Sequence, residues 1–90
     1  MSGEQHERHQ LELDVGQIGG AMALAEHVRR WHAAEAEHHR ARAVELAGGG
    51  DQAGSHDAWK RHAPHYAAEA ELRLAIGRLD EAVQIIKAGR

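Results

Sequence analysis

Ninety residues, a net charge of −3 and no cysteine describe one small domain without disulfides or thiolate metal sites. The apolar share is 42%, much of it alanine and none of it phenylalanine, so a lone monomer buries little and association is expected. No run approaches the roughly 18 apolar residues of a membrane span, and the basic spots Arg29–Arg30 and Lys60–Arg61 lie among acids, so neither membrane nor nucleic acid is an expected partner.

The first sixteen residues carry four acids and one arginine and read as a flexible N-terminal arm. They resemble neither a secretory signal nor an Arg-rich transit peptide, and the cytoplasm is the expected location. Within the arm, "QLELDV" alternates Leu11, Leu13 and Val15 with polar residues, the period of a short strand, and Gly16, Gly19 and Gly20 end it. A strand before two helices resembles the ribbon-helix-helix repressors. The outward residues here, Gln10, Glu12 and Asp14, have the wrong sign for DNA, which favours an arm laid along a partner's helices.

From about residue 17 to 47 the chain is rich in Ala, Leu, Glu and Arg and free of proline, a helical composition. The glycine-rich stretch 48–55 ends that helix, with glycine supplying a left-handed residue. Asp57 or Ser55 is expected to cap a second helix over about 57–88. Pro64 should kink this helix or mark its first turn. The fold class is therefore all-α: an antiparallel two-helix hairpin with a short extended arm.

A hairpin needs seam residues at alternating spacings of three and four on both helices. On the second helix the seam reads Ala58, His62, His65, Glu69, Leu72, Ile76, Leu79, Val83 and Ile86. On the first it reads Ala21, Leu24, Val28, Trp31, Glu35, His38 and Arg42. Folding at the glycines pairs Ala21 with Val83, Leu24 with Leu79, Val28 with Ile76 and Trp31 with Leu72. The same register then sets Glu35 against Glu69, His38 against His65 and Arg42 against His62. A dry end and a wet end result. At the dry end Ile18, Met22, Leu74, Ala75, Ala82 and Ile85 widen the apolar stripe beyond what one hairpin covers. Two hairpins pairing into a four-helix bundle would cover it.

At the wet end Glu35, His38, His65 and Glu69 form the candidate metal site. Carboxylate and imidazole donors without sulfur suit iron, manganese or zinc. Glu35, His38 and Glu69 resemble the ligands of the di-iron and di-manganese carboxylate bundles, in which two helices give a glutamate each and two give Glu-x-x-His. That resemblance, shared by two-helix ferritin-like subunits, covers three positions and implies a site completed by dimerisation; His65 would be an additional ligand. His32 would orient a ligand from one turn away, and His38 and His39, about 100° apart, would not share a seam position. The bland reading sets the same residues in a solvated network with Arg40, Arg42 and Lys60.

Trp31 is expected in the core at the dry end, with Trp59 and Tyr66 under the loop. His6, His9, His27 and His56 are expected at the surface. The loop lacks the lysine and preceding strand of a phosphate-binding turn, and Ser55–His56 has no third group, so catalysis finds little support. A tryptophan near the turn, "DAWKR", resembles the secreted helical hairpins of the WXG type, but the Trp-x-Gly itself is absent. The expected function is a non-enzymatic, self-associating interaction or assembly module. The alternative is a carboxylate–histidine metal-binding protein, its site in the hairpin seam or at the dimer interface.

Overall fold

The computed structural model describes residues 2–89, which form two helices, α1 (Ser2–Gly48) and α2 (Gln52–Ala88). They pack against each other as a hairpin measuring 74 × 16 × 13 Å. The length follows from α1 itself, since 47 residues at about 1.5 Å each span about 70 Å.

The described residues of the expected extended arm are helical. Leu11, Val15, Ile18 and Met22 stand at spacings of four, three and four, and all are half-buried, whereas Leu13 is exposed. The alternation of Leu11, Leu13 and Val15 is too short to separate a strand from a helix. The longer spacing decides, because it continues the face that packs on α2. Gly16, Gly19 and Gly20, expected to end a strand, lie on the exposed side of α1, where each costs about 1 kcal/mol of helix propensity without stopping the helix.

The connection is also tighter than the expected loop over 48–55. Gly50 has φ +86°, the positive value that favours glycine. Asp51 N–H donates to the Leu46 carbonyl (2.9 Å) and Gly50 N–H to the Ala47 carbonyl (3.1 Å), so α1 ends in a Schellman motif. The cap of α2 is Asp51, whose carboxylate accepts from Gly54 N–H at 2.8 Å, in place of Asp57 or Ser55. Pro64 lies well inside α2, beyond its first turn.

The α2 seam runs through every residue read from the sequence, each buried or half-buried, and extends to Ser55. The α1 seam is displaced by one residue. It runs Met22, Ala25, Arg29, His32, Ala36, His39 and Ala43, in place of Ala21, Leu24, Val28, Trp31, Glu35, His38 and Arg42. Register shifts with it. Arg29 meets Glu69, His32 meets His65, Ala36 meets His62 and Ala43 meets Ser55. Each α2 residue thus pairs six residues earlier in α1 than expected. One heptad of slip, which the shorter turn allows, and one residue of rotation account for the six.

The seam has three sections. At the open end Leu11, Val15, Ile18, Met22 and Ala25 line up with Ile86, Val83, Leu79, Ile76 and Leu72. Charged and histidine layers follow in the middle. Near the turn Ala36, Ala43, Ala58 and Ser55 are buried, small enough for the helices to approach closely. There Ser55 Oγ donates to the Ala43 carbonyl at 2.8 Å, which satisfies its hydroxyl. Among the described residues no helix is long and apolar enough to cross a membrane.

Candidate functional site

The middle of the seam is polar because both helices place charged or imidazole residues at consecutive seam positions. On α1 these are Arg29 and His32, followed after Ala36 by His39; on α2 they are Glu69, His65 and His62. The first layer is a charged network. Arg29 donates through Nη1 to Glu69 Oε1 (2.9 Å) and through Nη2 to Glu26 Oε1 (2.6 Å). Arg73 donates to the same Glu69 oxygen at 2.6 Å, and Arg30 Nε reaches Glu26 at 3.1 Å. Glu69 and Arg29 are the least exposed of the set, at 14% and 21%.

These contacts favour the ionised carboxylates. Hydrogen bonds from Arg29 and then Arg30 hold Glu26 at about 2, against an ordinary value of 4.5, although desolvation opposes them. Arg73 and then Arg29 lower Glu69 in the same way, and Glu26 and then Glu69 in turn raise Arg29. On the outer face of α1, Arg40 lowers Glu37.

The next layers hold the histidines. His32 Nδ1 and His65 Nδ1 lie 2.9 Å apart, so one ring donates and the other accepts. His62 Nδ1 lies 2.9 Å from the Ala36 carbonyl and is the donor there. His39 and His65 have nearly parallel rings, 17° apart with centroids at 5.6 Å. Trp31 stands edge-on to His32 and His65 at 4.8 and 5.4 Å. One ligand atom each from Glu35, His39 and His65 lies within 4.8 Å of the others, giving the hairpin a possible His/Glu site.

Of the four expected ligands, Glu35 and His65 converge. Glu69 lies toward the open end, held by Arg29 and Arg73. His38 is exposed, with its ring edge-on to His39 at 5.2 Å. His39 stands where His38 was expected. It follows Glu35 by four residues and shares the seam spacing of Leu11, Val15 and Ile18; that longer spacing was the signal for it. Trp31, expected in the core, is 54% exposed, and Trp59 and Tyr66 are exposed with their rings against His62. His6, His9, His27 and His56 are exposed.

No protein-family model, no curated protein and no solved structure matches the chain.

Proposed function

We propose that this protein is a self-associating assembly module in which two hairpins pair through α1 into a four-helix bundle. One observation carries the reading: α1 bears two adjacent apolar stripes and α2 covers one of them. The covered stripe runs through Leu11, Val15, Ile18, Met22 and Ala25. The other is Ala21, Leu24, Val28 and Trp31, with Leu24 65% exposed and Val28 half-buried. It has the same alternating spacing, which suits knobs-into-holes packing on another helix.

Area supports a second copy as the occupant. A folded monomer of 9.9 kDa exposes about 5,200 Å², whereas the hairpin exposes 6564 Å². The surplus of about 1,400 Å² exceeds the roughly 800 Å² per partner of a standard interface. Among the described residues no large side chain is fully buried. A two-fold axis beside the second stripe would apply one surface to itself, the commonest symmetry of homo-oligomers.

Sedimentation equilibrium at micromolar concentration tests the proposal. A species of twice the 9.9 kDa chain mass is expected. A folded monomer of 9.9 kDa across the concentration range would overturn it. Leu24→Glu should dissociate the dimer, because it puts an unpaired charge into the second stripe.

A further inference from the structure

Where the second stripe ends at Trp31, side chains with metal-binding chemistry gather from both helices. Glu35 and His39 are four residues apart on α1, hence neighbours on adjacent turns, and His65 reaches them from α2. All three are half-buried. Glu26 and Glu69 are held by arginines, but the ion-pair partner of Glu35 among the described residues is His39, at 3.8 Å. That leaves one carboxylate and two imidazoles facing one another with no arginine to neutralise the acid.

We infer that Glu35, His39 and His65 form a three-ligand site for a divalent first-row transition ion, with zinc as the natural probe. Two nitrogens and one oxygen without sulfur are the donor set such ions accept, and hard ions such as calcium prefer oxygen alone. Three protein ligands leave a coordination position for water. Ligand atoms around a tetrahedral zinc lie about 3.3–3.6 Å apart, given bonds of about 2.0–2.2 Å. The ligand atoms, now within 4.8 Å of one another, would close on an ion by rotation of the Glu35 and His39 side chains toward His65.

The surroundings of His65 favour the same assignment. A histidine that binds metal through Nε2 carries its proton on Nδ1 and donates it to an outer partner. The Nδ1 of His65 already has such a partner in the Nδ1 of His32, 2.9 Å away. Metal binding would select one of the two hydrogen-bond directions, with His65 donating and His32 accepting. Trp31, edge-on to both rings, limits their rotation. The ligands come from one hairpin, so no residue of a second copy completes the site. A bound ion would tie α1 to α2 near the middle of the seam.

Calorimetric titration of zinc into the untagged, chelator-treated chain tests this. The expected result is one ion per chain, with affinity falling at least about tenfold in Glu35→Gln and in His39→Ala. His38→Ala and the His6→Ala, His9→Ala pair should bind as the wild type does, with helicity by circular dichroism unchanged. Nitrogen NMR of the zinc-loaded wild type supplies a readout independent of any variant. Ring signals of His39 and His65 should move to metal-bound values, with His32 protonated on Nε2. Wild-type affinity in Glu35→Gln, dependence on His38 in place of His39, or metal-bound signals at other histidines would overturn the site.

Discussion

Gly50 and Asp51 make the turn, and each carries a distinct cost of substitution. At φ +86° an alanine meets its own carbonyl, so Gly50→Ala should destabilise the hairpin by about 1–2 kcal/mol. Asp51→Ala removes the α2 cap and should cost about 1 kcal/mol. Urea unfolding midpoints read both. The acid limb of stability belongs to the residues of the middle seam. Because Glu26 is held near 2 when folded and titrates at 4.5 ordinarily, its contribution is present above pH 4.5 and is lost as pH falls toward 2. Glu69, also lowered, acts in the same direction. Stability measured from pH 7 to 2 should therefore fall below about pH 4.5, and Glu26→Gln should flatten that fall. Stability that holds level from about pH 5 down to about pH 2 would contradict the charged layer.

At the scale of elements, the two helices were unequally legible in the sequence. The α2 seam could be read residue by residue because its large apolar residues, Leu72, Ile76, Leu79, Val83 and Ile86, share one face. On α1 two faces compete: Leu24, Val28 and Trp31 are apolar throughout, whereas Met22 and Ala25 are followed by Arg29, so apolar character favours the face that α2 does not cover. The preference reverses only when Leu11, Val15 and Ile18 are counted as helical, and the alternation of "QLELDV" with the glycines after it concealed that. Register was hidden for another reason. A heptad pattern fits equally well after slipping by seven residues, and the short Gly50–Asp51 turn chooses between the fits. The Glu35–His65 approach was legible because both belong to the wet end in either register; His39 was not, because it depends on the rotation of α1.

Arg29 and Glu69 form the one charged layer in a seam otherwise made of apolar, small and histidine residues, and a slip would separate them. Replacing both with leucine should leave the helices intact but admit alternative registers. Spin labels on Leu11 and Ile86, substituted by cysteine, should then report a broad distance distribution where the parent gives a narrow one. A narrow distribution in both would assign the register to the turn alone. Pro64, with no N–H to offer the helix, makes the opposite prediction for stability. Pro64→Ala should raise the unfolding free energy by up to about 3 kcal/mol, read by urea denaturation.

For the whole molecule the governing quantity is the ratio of surface to interior. Among the described residues the buried apolar ones are Ala36, Ala43, Ala58 and Val83, none of them bulky, while Leu24, Leu74, Ile85 and Trp31 stay more than half exposed. A hairpin so thin gains little from burying its own seam, so association and folding should be one event. The substitutions separate the seam from the proposed interface. Leu79→Glu strikes the seam between α1 and α2 and should abolish helicity at any concentration, whereas Leu24→Glu strikes the surface proposed to pair with a second copy, and a high chain concentration should partly restore the fold. Thermal melting of the wild-type chain over a hundredfold range of concentration tests the coupling most directly. The melting temperature should rise steadily with chain concentration, as mass action requires when the folded species is a dimer. A melting temperature independent of concentration, with a folded 9.9 kDa monomer throughout, would contradict it.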